Sequence, residues 1–140
     1  MAYLDANVFI FAASDQGNLG IAAREIILEV QRGKREAITS ALTYDEVVWG
    51  VRKILNKEKA YLAGELFLAL PHLTLAEANR QTLSEAHHLI KHLNLKPRDA
   101  IHLATMHLHH EQIIVSEDPD FDHIPGIKRI SLEDFSRCKN

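Results

Sequence analysis

Short apolar stretches alternate with amphipathic ones along almost all of this 140-residue chain. The apolar stretches, which we predict to be strands, lie around Tyr3 and Leu4 and at residues 37–39, 72–75, 112–116 and 127–130. The segments predicted to be helices are residues 8–13, 20–31, 40–56, 57–70, 76–93, 98–110 and 131–135. Strands that are joined through helices need right-handed crossovers and form a parallel sheet covered on both faces. We therefore expect a single α/β domain, residues 1–140, built as a three-layer α/β/α sandwich around a central, mainly parallel sheet.

The composition is that of an ordinary globular domain, with 46% hydrophobic and 25% charged residues. A net charge of −3 excludes the strongly basic balance of a protein that coats DNA passively. Cys138 is the only cysteine, so a disulfide within the chain is excluded. We identify no secretion signal ahead of Asp5 and no apolar run near the roughly twenty residues of a membrane span. These features predict a cytoplasmic protein without a membrane segment.

Acidic residues occupy corresponding positions beside several predicted elements. Asp5 follows the first strand and Asp118 follows the fourth. Parallel strands end at the same edge of a sheet, which is where ligands bind in open α/β folds. Asp99 stands in the first turn of its predicted helix, and Glu46 lies about one turn further into another. Taken together, these placements predict that four carboxylates converge at one edge of the sheet.

Each of these acids also has a purely structural interpretation. Asp5 or Asn7 caps the helix that follows. Asp99 favours the positive end of a helix dipole with or without a ligand. Glu46 is then a solvated helix residue, and the acidic segment 117–122 is an exposed turn. The joint placement of the acids, more than any single residue, favours a functional site.

Four carboxylates within a few ångströms of one another repel and take up protons unless a cation neutralises them. An all-oxygen ligand set suits Mg²⁺ or Mn²⁺, whereas zinc sites usually recruit histidine or cysteine. Such ions activate water for attack on phosphodiesters. The predicted chemistry is therefore hydrolysis of a nucleic-acid backbone.

Four segments of the chain together resemble one protein family. They are residues 3–10, 40–50, 98–104 and 115–121, and each carries one of the four acids. In order and spacing they are similar to the PIN domain family, and in particular to the VapC-like ribonuclease toxins of bacteria and archaea. The similarity extends from Tyr3 to about Phe135.

This resemblance implies a Mg²⁺- or Mn²⁺-dependent endoribonuclease that cleaves RNA, is held inactive by an antitoxin protein and often forms homodimers. The metal-binding and catalytic acids that it implies are Asp5, Glu46, Asp99 and Asp118, with Asp120 as an auxiliary acid. The polar supports that it implies are Asn7, Ser40 and Thr43. Pro119 departs from the family, which often has a polar or basic residue there, so the part played by Asp120 is open. The apolar helix surface that we assign to a dimer contact comprises Leu62, Leu66, Phe67 and Leu70.

Other candidate residues carry weaker signals. Lys96 and Arg98 flank Asp99 and are candidates for contacting the RNA backbone, although solvated surface charges have the same pattern. The nine histidines, among them His102, include no His-Glu-x-x-His motif and lack a cysteine pair, which argues against a zinc site.

Two alternative functions remain. Asp5 and Asn7 together resemble the opening of an aspartyl-phosphate phosphatase whose second aspartate is lost, which disfavours that enzyme. The other alternative is a catalytically silent PIN-like module that binds RNA or protein. Retention of all four acids favours the nuclease over the silent module.

Overall fold

The computed structural model of the protein describes residues 1–138, and the last two residues of the predicted domain lie outside the described part. The strands are β1 (Ala2–Leu4), β2 (Ala37–Ser40), β3 (Leu73–Ala76), β4 (Ile113–Val115) and β5 (Lys128–Ile130). The helices are α1 (Ala6–Ser14), α2 (Asn18–Gln31), α3 (Leu42–Ile54), α4 (Lys57–Ala69), α5 (Arg80–Leu93), α6 (Pro97–Leu108) and α7 (Leu132–Arg137). A single 3₁₀ turn, Pro119–Phe121, follows β4.

The strands form one sheet in the order β3-β2-β1-β4-β5, and every neighbouring pair is parallel. From β1 the chain adds β2 and β3 on one side and then crosses to add β4 and β5 on the other. The strand order therefore reverses between β1 and β4, where Leu4 lies beside Val115. A crevice at such a reversal, beyond the carboxyl ends of the strands, is the usual ligand site of this architecture.

Helices cover both faces of the sheet, because the strand side chains alternate between two hydrophobic clusters. On one face Ala2, Leu4 and Val115 pack with residues of α1, α2, α3, α4 and α7. On the other face Tyr3 and Ile114 pack with residues of α5 and α6. The three-layer α/β/α sandwich with a parallel sheet, predicted from the sequence, is confirmed.

The predicted helices differ from the observed ones mainly at their ends. The helix predicted at 8–13 starts two residues earlier, because the Asp5 carboxylate accepts a hydrogen bond from the Ala6 N–H and caps it. The helix predicted at 76–93 begins only at Arg80, since Ala76 belongs to β3 and Asn79 is the N-cap. The helix predicted at 40–56 is shorter at both ends. Ser40 at its start belongs to β2, and Asn56 at its end is the N-cap of α4. Within the described residues no helix combines the length and apolar character that a bilayer span requires.

Candidate active site

Asp5 lies at the reversal of the strand order, directly beyond β1, and is only 7% exposed. Its Oδ1 accepts a hydrogen bond from the Ala6 N–H at 2.8 Å. Its Oδ2 accepts one from Ser116 Oγ at 2.6 Å and one from Asn7 Nδ2 at 3.2 Å. Burial raises the pKa of Asp5, and the charge of Glu46 adds to this rise, while the charge of His102 and the hydrogen bonds from Ser116 and Ala6 offset only part of it. Asp5 is therefore a helix cap and also part of a polar cluster that joins β1 to β4.

Glu46 reaches this edge of the sheet from α3 and meets a histidine from α6. His102 Nε2 lies 2.5 Å from Glu46 Oε1, and His102 Nδ1 lies 2.5 Å from the Tyr3 hydroxyl. His102 is 1% exposed, and the Glu46 side chain is 18% exposed. Burial opposes the charged imidazole, but the hydrogen bond and charge of Glu46, together with the charges of Asp5 and Asp99, outweigh it, and the pKa of His102 is raised.

Three further carboxylates gather beside α6 and the 3₁₀ turn. One oxygen from each of Asp99, Asp118 and Asp120 lies within 4.8 Å of the others. Asp118 Oδ1 accepts a hydrogen bond from the Asp120 N–H at 2.9 Å, and the Asp118 N–H donates to Ser116 Oγ at 3.0 Å. Burial, followed by the charges of Asp118 and Asp120, raises the pKa of Asp99 to about 6. Burial and the neighbouring carboxylates thus both favour the protonated form of Asp99.

An open cleft of about 520 Å³ lies over these groups. Its lining residues are Glu46, Lys96, Pro97, Arg98, Asp99, Asp118 and Asp120. Asp5 lies outside this lining, but its charge also raises the pKa of Asp99. Lys96 Nζ approaches Asp120 Oδ2 to 3.6 Å, and Arg98 approaches Asp45 to 3.7 Å, both pairs being exposed. All five acids singled out in the sequence therefore belong to one electrostatically coupled region.

The residues present fit a hard divalent cation. The oxygens of Asp99, Asp118 and Asp120 form the kind of ligand set that Mg²⁺ and Mn²⁺ prefer, and they are close enough to share one ion. Asn7 Oδ1 is buried and has no hydrogen-bond partner among residues 1–138, although its Nδ2 bonds Asp5 and Ser116. Buried polar atoms are rarely left unpaired. An added cation, or a water that it orients, would give this oxygen a partner. The charge of the cation would also offset the repulsion among the acids.

Ser40 and Thr43, expected to be polar supports, make their hydrogen bonds behind the cleft. Ser40 Oγ accepts one from the Leu42 N–H at 3.1 Å. Thr43 Oγ1 lies 2.7 Å from Thr39 Oγ1, which donates to the Leu4 carbonyl oxygen at 2.7 Å. The Ser40 bond ties the end of β2 to the start of α3, and the two threonines connect α3 to β1. These bonds fix the backbone that carries Asp5 and Glu46.

Three residues of the site were not among the sequence-predicted ones. Ser116 directly follows β4, just as Asp5 follows β1, so the strand-end argument applied to a hydroxyl residue would have found it. His102 lies three positions after Asp99 and thus on the same side of α6. From the sequence, His102 is only a possible zinc ligand, whereas in the structure it is almost fully buried. Tyr3 carries no sequence signal apart from its strand.

Fold and site together define an open, parallel α/β/α domain with a carboxylate-lined cleft where its strand order reverses. The family model of the PIN domain matches residues 2–127. The chain therefore belongs to the PIN domain family.

The chain is similar to several proteins of known name. Ribonuclease VapC13 of Mycobacterium tuberculosis is 23% identical over 131 residues, which are 94% of this chain and all of that protein. Among solved structures, the fold is similar to that of VapBC2 from Rickettsia felis bound to a DNA fragment from its promoter. The TM-score is 0.71 and the identity 18%, and the match covers 94% of this chain and 98% of that one. It is also similar to VapC20 of M. tuberculosis, a toxin that cleaves the sarcin-ricin loop, with a TM-score of 0.70 and 14% identity, covering 86% and 92% of the two chains.

Proposed function

We propose that the protein is an endoribonuclease that hydrolyses RNA phosphodiester bonds with the aid of Mg²⁺ or Mn²⁺. The observation that carries this proposal is the convergence of Asp99, Asp118 and Asp120 within 4.8 Å of one another. The cleft above them is open, so an extended polymer can reach the carboxylates without the protein having to unfold around it. Membership of the PIN domain family and the ribonuclease name of the similar VapC13 support RNA as the substrate.

The position of each side chain relative to the cleft suggests its role. Asp99, Asp118 and Asp120 would hold the cation, Glu46 lines the same cleft, and Asp5 acts on Asp99 through its charge. A bound divalent ion supplies positive charge that activates water and stabilises the charge developing on the phosphate. Lys96 and Arg98 lie on the rim of the cleft, where each pairs with an exposed acid, and such exposed side chains can turn toward RNA phosphates.

We also propose that the protein is the toxin of a type II toxin–antitoxin pair. The R. felis structure, with a similar fold, is named as a VapBC assembly, which supports an antitoxin as partner. An apolar groove of about 420 Å³ between α1, α2 and α4 offers a site for an apolar segment of such a partner, lined by residues that include Phe9, Ile27, Leu66 and Leu70. A cationic side chain of the same segment would pair with the carboxylates of the cleft and exclude RNA. We place this pair, like its RNA substrate, in the cytoplasm.

A homodimer is the second assembly that we propose. Leu62 of the predicted contact is 49% exposed and lies outside the lining of the apolar groove, whereas Leu66, 62% exposed, belongs to both surfaces. Phe67 does not belong to that surface, because it is 3% exposed and packs edge-on against Phe9 in the core. Mass measurement in solution at several protein concentrations tests the dimer, and Leu62→Glu is expected to reduce it to monomers.

Cleavage of a labelled single-stranded RNA, with and without divalent ions, tests the activity. We expect the wild type to cut only with Mg²⁺ or Mn²⁺. Asp99→Asn is expected to cut at least about a hundredfold more slowly, because it removes a charge-bearing ligand from the cluster. Asp134→Asn, an exposed acid on α7, is the matched control and should cut at the wild-type rate.

The same experiment separates the nuclease from a silent PIN-like module. A folded wild type that leaves RNA intact under every ion tested would contradict the nuclease and leave binding of RNA or protein as the function. Mn²⁺ titration then adds a second criterion, since a silent module with a degenerate site should not bind the ion in a manner that depends on Asp99.

A further inference from the structure

His102 is a buried residue whose two ring nitrogens both have partners. Tyr3, also fully buried, lies 2.5 Å from Nδ1, and Glu46 lies 2.5 Å from Nε2. The Tyr3 hydroxyl in turn accepts a hydrogen bond from the Ser40 N–H at 3.2 Å. A chain of hydrogen bonds thus runs from the backbone of β2 through Tyr3 and His102 to a carboxylate that lines the cleft.

The direction of this chain follows from what each group can donate. An ionised carboxylate only accepts, so Nε2 must carry the hydrogen that it shares with Glu46 Oε1. In the neutral ring, Nδ1 then accepts the Tyr3 hydroxyl hydrogen, while the Tyr3 oxygen accepts from Ser40. Charged or neutral, His102 donates to Glu46, and the partners of the ring hold it in one orientation.

The pair also crosses between layers of the fold. Glu46 lies on α3, which packs on one face of the sheet, and His102 lies on α6, which packs on the other. A glutamate side chain has three rotatable bonds, so it loses rotamer freedom when it is fixed. The hydrogen bond from His102 fixes one carboxylate oxygen of Glu46, and the Glu46 side chain lines the cleft.

We propose that His102 is a positioning residue that orients the Glu46 carboxylate for the cation and its waters, with Tyr3 orienting His102. This inference rests on the proposed metal-dependent function and names a residue of the same site. Outer partners of metal-site carboxylates and histidines typically contribute about 10–100-fold in metal affinity or activity. His102 is too deeply buried to touch RNA, so its effect must reach the reaction through Glu46.

Four variants test the proposal. His102→Leu keeps apolar bulk and removes the donor. His102→Gln offers an amide N–H near the position of Nε2. Tyr3→Phe keeps the ring and removes the hydroxyl that orients His102. The matched control is His107→Gln, because His107 lies on the same helix and also contacts a glutamate, Glu85, at 3.3 Å, but on the surface away from the cleft.

The measurements are Mn²⁺ affinity by electron paramagnetic resonance of the free ion, kcat and KM for RNA, and thermal unfolding of the metal-free protein. For His102→Leu we expect Mn²⁺ affinity and kcat to fall by about 10–100-fold with KM unchanged. His102→Gln should recover most of this loss, Tyr3→Phe should lose about 3–10-fold, and His107→Gln should match the wild type.

The outcomes that overturn the proposal are distinct from those that overturn the nuclease. A folded His102→Leu with Mn²⁺ affinity and kcat within about twofold of wild type refutes the positioning role, as does a His102→Gln that is as impaired as the leucine variant. If His102→Leu does not fold, Tyr3→Phe decides, and normal Mn²⁺ affinity and kcat there refute the proposal. If the wild type binds Mn²⁺ without cutting RNA, only the proposed nuclease activity is refuted. The Mn²⁺ affinities of the variants relative to wild type then still test the role of His102. A wild type that binds no Mn²⁺ refutes both.

Discussion

Ser116 Oγ donates a 2.6 Å hydrogen bond to Asp5 Oδ2 although the two residues stand 111 positions apart in the chain. Each is the first residue beyond a strand, Asp5 after β1 and Ser116 after β4, and these strands are neighbours in the sheet. The same hydroxyl accepts from the Asp118 N–H at 3.0 Å. Ser116 therefore connects the buried Asp5 to the half-buried Asp118.

Replacing Ser116 with alanine should weaken both the fold and the metal site. It leaves Asp5 with one fewer donor in a buried position, which costs roughly 1–2 kcal/mol in the free energy of unfolding. Mn²⁺ affinity should fall by about tenfold, because Asp118 loses the bond that fixes its backbone. Urea unfolding and Mn²⁺ titration measure the two effects. Ser136→Ala is the control, since Ser136 is also buried but its hydroxyl donates to the Glu133 carbonyl oxygen of its own helix. An equal Mn²⁺ loss there would contradict the prediction.

The stability of the metal-free protein should fall as pH rises through the range where Asp99 loses its proton. Its pKa rises from the usual 3.8 to about 6 in the folded protein, so the folded state holds this proton more tightly than the unfolded chain. The resulting stabilisation is complete below about pH 4 and is lost as the pH passes about 6. Asp99→Asn removes this dependence. In the presence of EDTA, the free energy of unfolding of the variant minus that of wild type should rise by about 1 kcal/mol between pH 4.5 and pH 7.5. This value is smaller than the full pKa shift implies, because Asp99 is partly in contact with water.

Denaturant unfolding at those two pH values measures this difference. Asp134→Asn, whose carboxylate is exposed, provides the baseline for loss of one surface acid. Identical pH dependence in wild type and Asp99→Asn would contradict the predicted crowding of the carboxylates. At pH 7.5, adding Mn²⁺ should make wild type more stable than Asp99→Asn, because the ion stabilises only the folded state that binds it.

Asp118 and Asp120 should differ in their importance for cleavage. Asp118 is half-buried and fixed by its hydrogen bonds to Ser116 and to the Asp120 N–H, whereas the Asp120 side chain is 49% exposed and pairs with Lys96. Asp118→Asn is expected to reduce kcat by about a hundredfold or more and Asp120→Asn by about tenfold, since a solvated carboxylate is screened by water. Single-turnover cleavage at saturating Mn²⁺ compares the pair. Equal losses would mean that Asp120 is a full ligand despite the adjacent Pro119.

Lys96 and Arg98 should contribute to RNA binding more than to the chemical step. Both are exposed at the rim of the cleft, with 80% and 60% of their side chains accessible. Replacing both with alanine is expected to raise KM for RNA by roughly tenfold, to leave kcat nearly unchanged and to lower the slope of log affinity against log salt by about one to two. Arg137→Ala, a similarly exposed arginine on α7 that also pairs with acids, should alter none of these values. A salt slope equal to that of wild type would exclude phosphate contacts by the two residues.

The sequence predicted the layers of the fold and the parallel sheet, because alternating strand and helix periods leave few ways to bury the apolar faces. It predicted helix ends less well. Asn79 and Asn56 cap α5 and α4 through their side chains, and these caps override the apolar periodicity that ran past them. It also assigned Phe67 to a surface, since the apolar stripe of α4 does not tell which of its members points at the core.

The sequence by itself determined that Asp5 and Asp118 follow strands and so lie at one edge of a parallel sheet, because strand direction fixes where the chain leaves the sheet. Only the tertiary structure decided that β1 and β4 are neighbours, which sets Asp5 beside Ser116. Likewise, only the packing of α6 across the sheet from α3 buried His102 against Glu46. Periodicity reports which face of an element is apolar, but the meeting of polar groups from separate elements depends on strand order and helix packing, and these are properties of the whole chain.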